Sequence, residues 1–115
     1  MLEGLWSVDF ILKPPLGMQG GGVVVFENQR VLGGDNNYYY KGSYEVQNDM
    51  VGMEIEVKFY GSEHAPSPSI FRPLTEFHII LSGKLSTMVM ELQGYVVEDP
   101  NRKFPVRLAK RTGLP

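Results

Sequence analysis

The sequence predicts an all-β domain in which about eight short antiparallel strands close into an up-and-down barrel. Three observations predict it: apolar and polar residues alternate repeatedly, turn residues separate the alternating segments, and no segment has apolar residues at helical spacing. Its 115 residues fit one domain, residues 1–115, and are too few for two. Successive tight turns favour up-and-down order, with a two-sheet sandwich as the rival arrangement.

The first three strands follow from apolar runs interrupted by turn residues. The apolar positions of the first strand are Trp6, Val8, Phe10 and Leu12. The β-branched run Val23–Phe26 predicts the second strand, and Asn28 and Gln29 form a reversal into the third, Arg30–Leu32. The glycine-rich segment 17–22 has no Gly-Lys-Ser/Thr ending, so we interpret it as flexible or bulged backbone before a strand and not as a phosphate-binding loop.

The most informative block is Gly33–Val46, where Gly-Gly-Asp precedes three consecutive tyrosines. The inward positions of this fourth strand are predicted to be Tyr38, Tyr40, Tyr44 and Val46. Gly42 inside the strand indicates a bulge or a close backbone approach. We expect Asp35 to accept hydrogen bonds from buried tyrosine hydroxyls. The predicted structural turn and network consist of Gly33, Gly34, Asp35, Tyr38 and Tyr40.

The second half of the chain adds four strands. A hairpin at Asn48 and Asp49 precedes a strand whose inward positions are Met53, Ile55, Val57 and Phe59. The proline-rich segment 61–73 is interpreted as the longest irregular connection. The inward positions of the last three strands are Phe77, Ile79 and Leu81, then Met88, Met90, Leu92 and Val96, then Phe104, Val106 and Leu108. Reversals are expected at 82–84 and 99–101.

The barrel interior is one place where function could reside. Its predicted large side chains are Trp6, Tyr40, Tyr44, Phe59, Phe77, Met88, Met90 and Phe104. Methionine adapts to irregular apolar shapes, which suits an ordinary packed core and equally a cavity for a small apolar ligand or lipid. The packed core is the favoured interpretation and the ligand cavity the alternative.

Composition excludes several classes of site. The chain has no cysteine, so disulfides, thiolate catalysis and zinc–cysteine sites are excluded. The net charge is −2 and the basic residues are dispersed apart from Lys110 and Arg111, so no nucleic-acid surface is predicted. No serine nucleophile elbow occurs, and His64 and His78 lack metal-ligand spacing. We therefore expect no enzyme activity, no metal and no cofactor.

The histidines and paired carboxylates are interpreted mainly as surface groups. His78 falls on an outward strand face, and a histidine–carboxylate site with Glu63 or Glu76 is the alternative. Glu54 and Glu56 share an outward face and are interpreted as solubilising. The N-terminal region lacks signal-peptide features and no apolar run reaches the ~20 residues of a membrane span, so a cytoplasmic protein is expected.

Six segments, in order along the chain, resemble the GrlR-like family, which is named for negative regulators of type III secretion. They are Gly4–Val8, Gly22–Phe26, Gly33–Asp35, Tyr39–Tyr44, Pro68–Phe71 and Leu81–Gly83. The resemblance implies a small β-barrel of lipocalin-like shape, often dimeric and without enzyme activity. It also implies a bacterial cytoplasmic protein that binds and restrains a transcriptional activator.

The resemblance draws attention to the hairpin after the tyrosine strand. In the regulator for which the family is named this loop is strongly acidic, whereas here only Glu45 and Asp49 are acidic in the segment 45–49. These two residues are the candidate partner-binding residues. An outward apolar patch of Val23, Val25, Val89 and Val97 is predicted to favour a homodimer.

Overall fold

Eight antiparallel strands close into a barrel in the computed structural model, which describes residues 2–11, 18–60 and 74–115. The strands are β1 (Gly4–Ile11), β2 (Met18–Glu27), β3 (Arg30–Gly34), β4 (Tyr38–Gln47), β5 (Met50–Phe59), β6 (Glu76–Lys84), β7 (Val89–Val96) and β8 (Asp99–Thr112). Each strand pairs with the next, and β8 pairs back with β1. The predicted all-β up-and-down barrel is confirmed, and the described residues contain no helix.

The interior is filled by the alternate side chains of the strands. Burial alternates residue by residue along β1 and β7, as a sheet with one covered face requires. Three large aromatic rings meet edge to face across the core: the ring centroids of Trp6 and Phe26 lie 5.8 Å apart, and those of Phe26 and Tyr44 lie 5.3 Å apart. Edge-to-face contacts of this kind add to the stabilisation from apolar burial.

Two predicted hairpin reversals are confirmed by backbone geometry. Asn28 and Gln29 have φ angles of 51° and 63°, the pair of left-handed residues that a type I′ turn requires. Asn48 likewise has a φ of 58° at the β4–β5 reversal. Because the twist of a type I′ turn matches that of the flanking strands, the β2–β3 hairpin continues the sheet without splaying.

Two other predicted reversals were wrong. Residues 82–84 continue β6, and the chain reverses at 85–88; residues 99–101 belong to β8, and the turn lies at Val97 and Glu98. Gly83 and Pro100 are of residue types that are common in turns, but both lie in strands. Pro100 lies in the first residues of β8, where a missing backbone N–H is tolerated.

The ends of the barrel account for two wrong inward assignments. Met88 precedes β7 and is 64% exposed, beyond the end of the β6–β7 pairing at Ser82 and Gln93. Val46, one residue before the end of β4, is 39% exposed. The predictions for Leu12 and for segment 61–73, which includes His64 and Glu63, lie outside the described residues.

Gly42 marks a close backbone approach and not a bulge. The pairing of β4 with both neighbours shows no register shift at Gly42. A Cβ atom there would lie 2.1 Å from the carbonyl oxygen of Glu54. Gly52 on β5 is the opposite case, since a Cβ atom there would meet no other atom within 4 Å.

The two glycines therefore predict opposite effects of alanine. Gly42→Ala should lower the free energy of unfolding by at least about 2 kcal/mol, because backbone must move to admit the methyl group. Gly52→Ala should leave it unchanged or raise it by up to about 1 kcal/mol, because it restricts the unfolded chain without a clash. Urea unfolding of both variants checks this, and equal losses would contradict the assigned pairing of β4 and β5.

Candidate functional site

The barrel interior leaves little free space. One space lined by described core residues has a volume of about 20 Å³, close to the minimum that holds one water molecule. The described residues that line it are Val8, Phe10, Val24, Phe26, Val31, Tyr40, Met53, Ile55, Ile79, Leu81, Val106 and Leu108. Sites for small organic ligands have volumes of roughly 300–1,000 Å³. In the part of the chain that the structure describes, the interior is a packed core.

Most of the predicted interior side chains are buried there. The buried members are Trp6, Tyr40, Tyr44, Phe77, Met90 and Phe104. Phe59 is partly buried and packs its ring against Tyr38, with 5.6 Å between centroids. Met88 is exposed and does not belong to the interior.

Asp35 organises the turn between β3 and β4. Its Oδ1 accepts hydrogen bonds from the backbone amides of Asn37 and Tyr38, both at 2.8 Å. Its own amide donates to the carbonyl of Tyr38 at 2.8 Å. Oδ2 accepts a hydrogen bond from the Tyr40 hydroxyl, as the sequence predicted, and the Asp35 carbonyl accepts one from Tyr60. The Asp35 carboxylate thus accepts hydrogen bonds from two backbone amides of the turn and from a buried phenol.

The contacts of Tyr40 give it a structural role. Burial raises the pKa of the Tyr40 phenol, and the adjacent Asp35 carboxylate raises it further. The phenol therefore stays protonated and acts as a hydrogen-bond donor at physiological pH. The Tyr38 hydroxyl donates to the carbonyl of Leu74 at 3.0 Å, which ties β4 to the chain entering β6. These bonds stabilise one end of the barrel.

His78 pairs with Glu98 and not with Glu76; Glu63, the other carboxylate suggested by the sequence, lies outside the described residues. The Nδ1 atom of His78 lies 2.6 Å from Glu98 Oε2, and the His78 backbone amide donates to Glu98 Oε1 at 2.7 Å. The Oε1 atom of Glu76 instead lies 3.6 Å from Lys58 Nζ. Both members of the His78–Glu98 pair are substantially exposed. Solvent screening therefore keeps its contribution to stability small.

The same contacts shift both pKa values. The Glu98 hydrogen bond raises the pKa of His78. Desolvation alone would raise the pKa of Glu98, but the hydrogen bonds from His78 outweigh it and lower the pKa overall. The charged pair therefore stabilises the fold at pH values between the lowered pKa of Glu98 and the raised pKa of His78.

This pair predicts a specific pH dependence. In an NMR titration the His78 ring should have its midpoint above the ordinary histidine value of about 6.5, and Glu98→Gln should lower that midpoint. The stabilisation that protonated His78 contributes is fully present below the ordinary histidine pKa, and it is lost as pH rises through the raised pKa of His78. Glu76→Gln is the control. A larger downward shift in Glu76→Gln than in Glu98→Gln would contradict the pairing.

An open groove lies on the outer face of β4, β5 and β6. It has a volume of about 460 Å³, and its outward-facing lining residues are Ser43, Glu45, Gln47, Met50, Gly52, Glu54, Ile80 and Ser82. Glu45 lies directly across from Gly52, and Gly52 directly across from Ser82. This groove was not predicted from the sequence. Gly52 was a signal for it, because it places a residue without a side chain at an outward position of an alternating strand.

The carboxylates around the groove are exposed and unpaired. Glu45 and Asp49, the predicted partner-binding residues, are both exposed. Neither they nor Glu54 form an ion pair with another described residue. Glu56, two positions from Glu54, differs because its Oε1 lies 3.1 Å from Lys58 Nζ. The groove and the hairpin tip therefore carry free negative charge.

One row of outward apolar side chains crosses β1, β2 and β3. Leu5 lies across from Val25, which lies across from Leu32, a residue that is 56% exposed. Val23 lies next to this row and is also exposed. Of the other two residues of the predicted apolar patch, Val89 lies on β7 and Val97 in the β7–β8 turn; both are exposed but separated from β2 by intervening strands. The continuous patch is thus Leu5, Val23, Val25 and Leu32.

The described ranges are 2–11, 18–60 and 74–115. No group of three or more metal-ligating side chains comes together in them. They contain no helix with the length and apolarity needed to cross a membrane. No protein-family model matches the chain, and no curated protein is significantly similar to it.

Proposed function

We propose that this barrel is a non-enzymatic regulatory protein that binds a basic protein partner at the acidic β4–β5 hairpin. The observation that carries the proposal is the unpaired charge of Glu45, Asp49 and Glu54 beside an open groove. Because the space found among the described core residues is only about 20 Å³, a binding surface on the outside fits the molecule better than a cavity inside. The partner class that suits this surface is a DNA-binding activator, whose phosphate-binding face is positively charged.

The resemblance to the GrlR-like family extends the proposal to a biological setting. In that setting the chain is a bacterial cytoplasmic negative regulator that sequesters a transcriptional activator, as in type III secretion. The described titratable groups support a binding role more than a catalytic one. Tyr40 and His78 are each held by a carboxylate in a structural contact, and no catalytic pair faces the groove.

The alternative function, a carrier of an apolar molecule in the interior, has no observation in its favour. The lining of the remaining space is apolar, but its volume of about 20 Å³ is far below that of a ligand site. Self-association is also part of the proposal. The outer patch of Leu5, Val23, Val25 and Leu32 is the surface on which two copies would bury apolar area.

Native mass spectrometry of a tagged copy isolated from its own host tests the proposal. We expect a complex with a DNA-binding protein, dissociated by added salt because the contact is electrostatic. The double variant Glu45→Gln, Asp49→Asn should lose that complex, whereas Glu27→Gln on β2 should keep it. The same spectrum reports whether the free protein has the mass of a dimer.

Three outcomes would contradict parts of the proposal. Retention of the partner by the double variant would remove the acidic hairpin from the interface. A bound small molecule without a protein partner would favour the carrier alternative. A strictly monomeric mass at micromolar concentration would exclude the proposed dimer.

A further inference from the structure

We propose that Leu2 and Glu3 form a strap that closes one end of the barrel over the Trp6 indole and opens about Gly4 while the eight strands stay paired. This conformational device goes beyond the proposed function and does not depend on it. Three observations support it: the burial of Leu2, the hydrogen bonds that the two strap residues accept, and the backbone angle of Gly4.

The side chain of Leu2 anchors the strap. Leu2 lies before β1 and outside every strand, and yet only 2% of its surface is exposed. Its backbone carbonyl accepts a hydrogen bond of 2.8 Å from Nε1 of Trp6, whose side chain is fully buried. Leu2 therefore supplies both an apolar group for the core and the acceptor that a buried indole N–H requires.

Glu3 attaches the strap to a neighbouring turn. Its Oε2 atom accepts a hydrogen bond of 3.0 Å from the backbone amide of Asn28, in the turn between β2 and β3. This bond is exposed to solvent, where water competes for both groups. The Glu3 contact therefore orients the strap, while the burial of Leu2 keeps it closed.

Gly4 provides the hinge of the strap. Its φ angle of 143° lies in a region that residues with a side chain rarely adopt. A Cβ atom at this position would also lie 2.4 Å from the carbonyl oxygen of Thr112. Hinges are residues that absorb a large change in φ or ψ, and glycine does so with the least steric restriction. Rotation about the N–Cα bond of Gly4 would lift the strap and leave β1 in place.

Strand pairing begins only after the strap. The first pair between β1 and β2 joins Gly4 and Phe26, and the first pair between β1 and β8 joins Leu5 and Thr112. Opening the strap therefore exposes one leucine side chain and breaks two hydrogen bonds, but it separates no pair of strands. Segments with few buried contacts and no ladder bonds are those that open locally, without unfolding of the domain.

Opening would change the end of the barrel that carries the β4–β5 hairpin. The indole N–H of Trp6 would be exposed beside the apolar recess that Leu2 leaves. The amide of Asn28 would also be released, next to Gln29, whose carbonyl accepts a hydrogen bond of 3.0 Å from the Tyr44 amide of β4. The open state thus presents an apolar recess with one hydrogen-bond donor at a surface that is closed in the structure.

Native-state hydrogen exchange tests the strap in the unmodified protein. Trp6 is the only tryptophan, so its indole N–H signal is unambiguous. The Val57 amide is the reference, because β5 is paired on both sides at that residue. We expect the protection factor of the indole N–H to be at least about tenfold smaller than that of the Val57 amide, and insensitive to low urea concentrations. Equal protection factors would show that the indole is exposed only by global unfolding and would overturn the inference.

Leu2→Ser removes the anchor and keeps the backbone carbonyl. Circular dichroism should show a folded barrel in which the indole N–H has lost most of its protection, the Val57 amide remains at least about tenfold better protected, and acrylamide quenches the Trp6 fluorescence more strongly. Leu114→Ser, at a leucine that is 38% exposed, is the matched control and should leave Trp6 shielded. An unfolded Leu2→Ser variant, or a folded one in which Trp6 stays as shielded as in the wild type, would overturn the inference.

Discussion

The structure depends on one constraint, which is that alternate side chains of eight strands must fill the inside of a closed barrel. An eight-stranded barrel is just wide enough for its own side chains, and here one space among the described core residues has a volume of about 20 Å³. Among the described side chains, the tyrosines and Trp6 bring polar groups into the core, and the Trp6 indole N–H donates to the carbonyl of Leu2 at 2.8 Å. Apolar burial therefore stabilises the core.

The carboxylates at the two ends of the barrel differ in whether other groups of the chain bind them. At one end the Asp35 carboxylate is saturated by two backbone amides and the Tyr40 hydroxyl, which gives a closed structural network. At the other end the β4–β5 hairpin leaves Glu45 and Asp49 unpaired beside a groove. The Asp35 carboxylate, which already accepts hydrogen bonds within the chain, contributes to the fold. Carboxylates without an ion-pair partner among the described residues, such as Glu45, are available to a partner protein. This asymmetry supports placing the function at the hairpin end.

The strands could be predicted from the sequence because burial of one sheet face imposes a two-residue period. That period identifies the inward face of a strand but not where the strand ends, which is why Met88 and Val46 were assigned inward and are exposed. The Asp35–Tyr40 contact was predictable because it is local. The His78–Glu98 pair and the Gly52 groove depend on the register of neighbouring strands, which the sequence alone does not show.

Methionine-methyl NMR during titration with laurate tests whether the barrel interior is filled. Met53 and Met90 are buried in the barrel, whereas Met50 and Met88 are exposed at its surface. We predict that laurate leaves the Met53 and Met90 methyl signals in place at every concentration below its micelle point. Saturable shifts of both signals at micromolar laurate would show that the interior opens to a ligand and would contradict a function on the outer surface.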